Sequence, residues 1–324
     1  MSTDEDLSQN CMKTVDANPV LQKWDGFLKE TDFSAAYDSR RIFHGRGGCF
    51  QGLEWCCVDV FAPVLLITLF KAPPDDFLED VLTKIVQGLP TAKLTSIALQ
   101  RRYLSKSPIE FVVGECPEQV FALRKGLRFC LNFNRQNVGF FLDMEPGRRW
   151  LEENARGKTV LNLFSYTCAF SVVAKSVDAL SVVNVDMSSS ALSTGRDNHR
   201  SNQQDTGNIK FLALDILKSW SRIRKHSPYD IIVIDPPSYQ KGSFVAEKDY
   251  VKLIKKIPQL ARQGTQILAC LNSPELAEKS LKELFCNNVP ECEFLVRLEN
   301  SEDFPDVSGD NYLKLLCYRY SPVS

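Results

Sequence analysis

Four short segments of this 324-residue chain carry residue types that could do chemistry together. Asn162–Phe170 reads NLFSYTCAF, Val185–Ser188 reads VDMS, Ala213–Ile216 reads ALDI, and Ile231–Tyr239 reads IIVIDPPSY. The first offers backbone N–H groups and small hydroxyls where a loop enters a helix. Ser165 and Thr167 can also cap that helix. In the second, Asp186 can accept both hydroxyls of a ribose, as an acid at this strand end does in dinucleotide folds. It could equally cap the next helix, a task also open to Ser188. In the third, Asp215 can meet an adenine amine or serve as a turn or cap aspartate. In the fourth, four apolar residues make a buried strand and Asp235 leaves the sheet. Pro236–Pro237 then hold a stiff extended turn without N–H donors. Each segment alone fits an ordinary strand, turn and helix. All four in order, at helix-plus-strand spacing, point to one site.

The elements that position these segments follow from hydrophobic patterning. From Asn137 onward, strands alternate with helices, which implies a parallel sheet with crossover helices. Strands are expected at Thr159–Leu163, Ser181–Val185, Ile209–Ala213, Tyr229–Ile234 and Gln266–Leu271. Helices are expected at Arg148–Asn154, Ala169–Ala174, Ser189–Ser201, Ile216–Arg224 and Lys248–Arg262, with a final strand pair at Glu293–Leu298 and Tyr312–Tyr320. A doubly wound sheet binds ligands at the carboxyl ends of its strands, near the switch in strand order. The four segments fall at those ends. This sheet domain is expected over residues 136–324. Ahead of it, residues 51–135 form a small α+β domain facing the substrate. It holds strands Trp55–Phe61 and Val64–Phe70 broken at Ala62–Pro63, a helix Asp75–Gln87, and strands Leu94–Leu99, Ile109–Val113 and Leu127–Phe133. Residues 1–50 are expected as a partly flexible leader with a short helix near Leu21–Leu28.

Bulk composition bounds the possibilities. Hydrophobic residues make up 44%, charged residues 24% and the net charge is -1. This is a globular chain of about two domains. A uniformly basic nucleic-acid binder is excluded, though a local basic patch is not. The longest apolar stretch, Val60–Phe70, is broken by Pro63 and falls short of the roughly 20 residues that span a bilayer. The acidic start MSTDEDLSQN does not read as a signal peptide. A cytoplasmic location without a membrane partner is expected. The 11 cysteines are scattered, and none has metal-site spacing. No metal is expected, and the thiols read as reduced and mostly buried. A monomer and a homodimer both remain open.

The stretch NVGFFLD…GKTVLNLFSYTCAFSV…VNVDMSSSAL…ALDI…IDPPSY resembles class I S-adenosylmethionine-dependent methyltransferases of bacterial 23S rRNA. These include the cytosine-C5 enzyme and the guanine-N7 domain of a two-headed enzyme. The likeness is densest from Asn137 to Ser273 and extends loosely back to Gly52. It implies a Rossmann-like, doubly wound, seven-stranded α/β methyltransferase sheet, S-adenosyl-L-methionine as cofactor and RNA, specifically rRNA, as partner. By matching positions, Phe164, Ser165, Tyr166 and Thr167 line the methionine end of the cofactor, and Asn162 is a further cofactor-binding candidate. Asp186 and Met187 hold the ribose and adenine, and Asp215 and Ile216 flank the adenine. Asp235, Pro236 and Pro237 face the target base. Phe141, Asp143 and Arg148 belong to a lead-in segment that closes over the cofactor.

The chain departs from this pattern in three places. Cys168–Ala169 replaces a pair that usually begins with glycine, the residue that lets backbone approach a ligand closely. Glu145 stands where relatives often carry arginine, removing a positive charge near the expected substrate face. Methylation at cytosine C5 needs a thiolate that adds to C6. In ILACLNSPEL the matching position holds Asn272. Cys270 lies two residues earlier on the same side of an extended strand, deeper in the sheet. Asn272 therefore joins Asp235, Pro236 and Pro237 as a catalytic candidate. It points to methylation at nitrogen, where a lone pair attacks directly and the enzyme supplies positioning.

The residues before Gly52 are too few for a separate RNA-binding module. Arg40, Arg41, His44 and Arg46, with Arg101–Arg102–Tyr103, could contact phosphates and stack bases, or be solvated charges beside core aromatics. Two other functions stay open: methylation of a small molecule or protein by the same domain, and a degenerate member that binds cofactor or RNA without catalysis.

Overall fold

The computed structural model describes residues 16–240, 244–273, 276–308 and 313–322. Its first unit runs through helix α1 (Asn18–Glu30), strands β1 (Arg40–His44), β2 (Cys56–Phe61) and β3 (Val64–Leu69), helix α2 (Asp75–Gly88), and strands β4 (Ser96–Arg101) and β5 (Ile109–Val113). The five strands form one sheet in the order β1-β2-β3-β4-β5. Every residue of β2 and β3 is buried. Strands covered on both faces read as continuous apolar runs, which is why both were legible in the sequence.

One face of this sheet packs against α1 and α2 through Val20, Trp24, Phe27, Phe77, Val81 and Ile85. The described part of the expected leader is thus core: burial begins at Ala17 and β1 is a sheet strand. The other face is covered by a hairpin, β6 (Val120–Arg124) and β7 (Leu127–Leu131). There Phe61, Leu66 and Ala98 share a core with Phe129, Phe140, Val172 and Val173. The strands expected at Ile109–Val113 and Leu127–Phe133 are β5, which pairs with β4, and β7, which pairs with β6.

The second unit comprises α3 (Glu145–Asn154), β8 (Thr159–Leu163), α4 (Ala169–Ser176), β9 (Ser181–Asp186), α5 (Ser189–Ser201), β10 (Ile209–Ala213), α6 (Trp220–Arg224), β11 (Tyr229–Ile234), β12 (Tyr239–Gln240), β13 (Phe244–Val245), α7 (Ala246–Ile254), α8 (Ile257–Leu260), β14 (Ala261–Asn272), α9 (Glu278–Asn288), β15 (Cys292–Leu298) and β16 (Leu313–Tyr320). Seven of its strands form a sheet in the order β10-β9-β8-β11-β14-β16-β15. The first five run parallel, and β16 is antiparallel to both its neighbours. Strand order reverses between β8 and β11, the place where such sheets bind ligands.

The helix expected at Lys248–Arg262 is broken. Helix α7 stops at Ile254, Pro258 sits in the first turn of α8, and Ala261 already belongs to β14. Proline is tolerated at that position because its missing N–H has no partner there anyway. The expected start of the last strand, Tyr312, lies outside the described residues. No described helix is long and apolar enough to cross a membrane.

Candidate active site

The segment after β8 is a turn of unusual backbone. Phe164, Tyr166 and Cys168 take left-handed φ values of 57°, 45° and 60°. Side chains disfavour this region by roughly 1–2 kcal/mol each, so the turn persists only where its surroundings hold it. Four bonds do so. Ser165 N donates to Val185 O at 3.1 Å, and Tyr166 N donates to Asp186 Oδ2 at 2.8 Å. Tyr166 Oη donates to Asn137 O at 2.8 Å, and Thr167 Oγ1 donates to Gly139 O at 2.7 Å. The first two tie the turn to the end of β9, and the others tie it to the lead-in segment.

Asp186 sits at the centre of this junction. Its second oxygen accepts from Ser188 N at 2.8 Å, while Ser188 itself caps α5 by accepting from Ala191 N. Burial raises its carboxyl above the usual range. Met187 beside it is exposed. Asp215 is engaged in its own turn, accepting from Leu217 N at 3.1 Å and pairing with Lys218 at 2.9 Å. Ile216 is buried.

Cys168 stands at the helix entry in a conformation that glycine adopts most easily. Its side chain turns inward, and burial pushes the thiol to about 12. It fits because α5 has Gly195 opposite: a Cβ built there would lie 2.5 Å from the Cys168 sulfur.

Asn162, expected among the cofactor-binding residues, is a buried support at the end of β8. It is 1% exposed, and its Nδ2 donates to Asn184 Oδ1 at 2.9 Å. Asn184 donates to Ser171 Oγ, which meets His199 Nε2, and His199 Nδ1 meets Gln204 Oε1. This chain of side chains fastens β8 and β9 to α4 and α5. Burial lowers His199 to about 4, so it is neutral at physiological pH. Asn184, His199, Asn137, Gly139 and Gly195 are supports that sequence reasoning missed. The signal available was Asn184 itself, a polar residue within an otherwise apolar buried strand.

Asp235 leaves β11 half-buried, followed by buried Pro236 and half-buried Pro237. Burial and the neighbouring Asp143 charge push its carboxyl to about 7, against the opposing pull of Arg148. The Ser238 hydroxyl donates to Asn272 O, which brings the end of β14 beside the Asp-Pro-Pro turn. Asn272 is exposed there, whereas Cys270 is fully buried with its thiol held well above its ordinary value. The Tyr250 hydroxyl donates to Cys270 O at 3.0 Å, closing that stretch from inside.

The lead-in segment has two sides. Phe141 is exposed, its ring 5.6 Å from that of Tyr166. Burial raises the Asp143 carboxyl, with Arg41 and Arg148 pulling the other way. Arg148 is buried. Its Nη2 donates to Phe141 O at 2.7 Å, and its guanidinium lies 4.1 Å from the Phe140 ring centre. It therefore pins the segment from behind instead of presenting itself to a ligand. Glu145 pairs with Arg124 at 2.8 Å and Arg148 at 3.4 Å, and Arg124 also reaches Glu152 at 2.9 Å. Glu145 is thus an internal counter-ion, and its reading as a lost charge on the substrate face is corrected.

Residues 40–319 match the family described as S-adenosylmethionine-dependent methyltransferase. The chain belongs to this family. Ribosomal RNA large subunit methyltransferase I of Aeromonas hydrophila is 31% identical over 200 residues, covering 59% of this chain and 50% of that protein. Ribosomal RNA large subunit methyltransferase K/L of Vibrio parahaemolyticus is 29% identical over 242 residues, covering 70% of this chain and 34% of that protein. The chain thus spans about half the length of the first of these relatives and a third of the second. A solved structure of a methyltransferase complexed with SAH is 26% identical, with a TM-score of 0.80 over 94% of this chain and 80% of that one. The strand order agrees with that relationship. Among the described residues, no group of three or more His, Cys, Asp or Glu is placed to hold a metal ion.

Proposed function

We propose that this methyltransferase methylates a base of ribosomal RNA, at a nitrogen rather than at cytosine C5. The observation that carries the choice of atom is the state of the two cysteines in the site's segments. Addition to C6 needs a reachable thiolate. Cys168 and Cys270 are both fully buried with their thiols pushed up. Asp235 instead offers a carboxyl that titrates near neutrality at the rigid turn after β11. A group with such a pKa can accept a hydrogen bond from a base N–H and take its proton. The RNA substrate is supported by the names of the relatives.

The cofactor supplies an electrophilic methyl group. Its fit to these residues rests on donor and acceptor arithmetic. An ionised carboxylate has about four lone-pair positions. Tyr166 N and Ser188 N occupy one on each oxygen of Asp186, which leaves two for the hydroxyls of a ribose. The left-handed turn of Phe164–Thr167 would hold the methionine end, and Phe141 would close over it. The positioned base nitrogen attacks with its lone pair, while Pro236 and Pro237 keep the turn from following the substrate. Asn272 stands at the rim to contact the base.

Comparing modified nucleosides in rRNA from cells with and without the protein tests this reading. Loss of one N-methylated base is expected, and an unchanged profile would count against an rRNA substrate. Retention of full activity by Cys270→Ala, with no covalent adduct by mass spectrometry, is expected. Inactivation by that substitution with cofactor binding intact would restore the C5 chemistry.

A further inference from the structure

Three of the cations singled out in the sequence are engaged within the first unit or against the second. Arg40 is paired with Asp303 at 2.6 Å, Arg41 with Asp59 at 2.7 Å, and Arg101 with Glu110 at 2.5 Å. Topology collects a different set at the amino end of the seven-stranded sheet. Strands β8, β11 and β14 are parallel neighbours, so their amino ends lie side by side. The residues that lead into all three are basic. Lys158 stands immediately before β8, Arg224–Lys225 before β11 and Lys255–Lys256 before β14. Lys158, Arg224, Lys225 and Lys255 are exposed, and Lys256 is half-buried. Neighbouring strands lie about 4.8 Å apart, so the three entries span about 10 Å.

The acids at this end are already taken. Asp230, the second residue of β11, accepts from Thr159 N and from Arg262 Nε, each at 2.9 Å. Asp178 pairs with Arg156 at 2.9 Å. Among the described residues, none of the five cations forms an ion pair. The chain as a whole carries a net charge of -1, so this end holds a local positive excess. Helix dipoles do not account for the grouping. Arg224 and Lys255 do follow α6 and α7, where a cation is favoured. Lys158 belongs to a turn, however, and Lys256 sits at the N-cap of α8, where a cation is disfavoured. Four of the five are lysines, compact charges on flexible stems without the planar fork that selects carboxylates. A row of such charges suits the repeating phosphates of a nucleic-acid backbone.

We infer that Lys158, Arg224, Lys225, Lys255 and Lys256 form a second RNA contact, which holds the phosphate backbone of a folded segment away from the target base. This rests on the reading of the substrate as RNA and deepens it. The site lies at the carboxyl ends of the same strands. Six residues of β11 separate Tyr229 from Ile234, a rise of about 20 Å. A short strand seated at Asp235 does not reach the row. A folded RNA with helical segments beside the target does, and such segments are held through their backbone and shape. Phosphate contacts of this kind set affinity and orientation without reading sequence. The enzyme would thus favour a large, structured RNA over an isolated strand carrying the same base.

Binding of protein-free large-subunit rRNA to the full chain, measured over a salt series, tests the inference. Lys158→Gln, Lys225→Gln and Lys255→Gln combined should weaken binding of long folded fragments about 10-fold or more. The dependence of log affinity on log salt should become shallower by about two to three. Short unfolded fragments of the same RNA should bind as they do to the parent chain. S-adenosylmethionine affinity should not change, because none of the three side chains bonds to the turn between β8 and α4. The pH midpoint of activity should not move either, since about 20 Å exceeds the screening length of about 8 Å. A matched variant, Lys29→Gln, Lys84→Gln and Lys279→Gln, removes the same charge from exposed positions of α1, α2 and α9 and should bind like the parent. Unchanged affinity and slope in the first variant, with the parent binding RNA, overturns this inference and leaves the rRNA reading standing. An equal loss in the matched variant, or an equal loss with short fragments, also overturns it. A parent chain that binds no RNA overturns both readings. Polyglutamate binding that depends on the same three lysines to the same extent would overturn it in favour of an acidic protein.

Discussion

In the proposed reaction, the proton passes to Asp235. Its carboxyl titrates at about 7, so it is half-protonated at neutrality and cannot accept a second proton below that. Activity is expected to rise with pH and level off above about 7. Asp235→Asn should lower kcat by at least about 100-fold, the usual scale for a lost acid–base group. It should also remove that rise, while leaving cofactor affinity within a few-fold. A pH–rate series on both proteins checks this, and a variant that keeps the rise would assign the titration elsewhere. The linkage has a definite sign. A folded pKa raised above the unfolded one stabilises the fold at low pH, and that contribution is lost as pH climbs from about 4 to about 7. Asp235→Asn should flatten stability across that window. The strand and stiff turn at Asp235 were legible because a four-residue apolar run there ends in an acid and two prolines. Asn162 was not, although it comes from an equally suggestive segment. Side chains alternate between the faces of a strand, and Asn162 falls on the face that packs under α4, in register with Asn184.

At the scale of elements, the turn between β8 and α4 and the body of α5 are a matched pair. Cys168 occupies a left-handed position at the start of α4, and Gly195 clears the space that its sulfur needs. Gly195→Ala alone should cost about 1–3 kcal/mol, the usual penalty for overpacking a filled site. Cys168→Gly alone should be nearly neutral, because relief of backbone strain offsets the lost packing. In the Cys168→Gly background, Gly195→Ala should become neutral or stabilising by up to about 1 kcal/mol, since alanine is the better helix residue. Denaturant melts of the four proteins give the coupling energy, and additivity within about 0.5 kcal/mol would show the pair to be independent. The elements around this pair were legible for a related reason. Strands β8, β9 and β11 are parallel, mostly buried and separated by periodic helices, so local pattern and final environment agree. Strands β1 and β6 escaped notice because RRIFH and VFALR are short and end in charges that find partners only across the fold: Arg41 with Asp59, and Arg124 with Glu145 and Glu152. No local property of those stretches announces such pairings. The helix expected through Arg262 failed differently, because its apolar spacing continues past the residues where the chain passes into β14.

The two large sheets meet through a continuous core. The second face of the five-stranded sheet, the β6–β7 hairpin and helix α4 share one apolar core. Ordinary domain interfaces are small and polar enough to permit independent motion, whereas this one is built like an interior. Some of its polar contacts reach the turn between β8 and α4. The fully buried Asn198 of α5 accepts from Cys130 N of the hairpin at 2.7 Å and donates to Thr167 O of the turn at 2.8 Å. One turn further on, Asn202 accepts from Arg128 N at 2.9 Å and donates to Arg128 O at 2.7 Å. A chain connected in this way should unfold as one unit despite its length. Calorimetry is expected to give a single transition with van't Hoff and calorimetric enthalpies in agreement, and two resolved transitions would contradict the shared core. Asn198→Ala leaves the half-buried Cys130 N–H and the buried Thr167 carbonyl unpaired, at up to about 1–3 kcal/mol each. It should lower that one transition by several degrees without splitting it. Because one of the orphaned groups is the carbonyl of Thr167, the same substitution should weaken S-adenosylmethionine binding severalfold. Asn202→Ala, which removes the bonds to Arg128 and one to the Asn198 carbonyl but none to the turn, should lower the transition and leave cofactor affinity in place. A loss of affinity in both variants would mean that the hairpin, rather than Asn198, sets the shape of the turn.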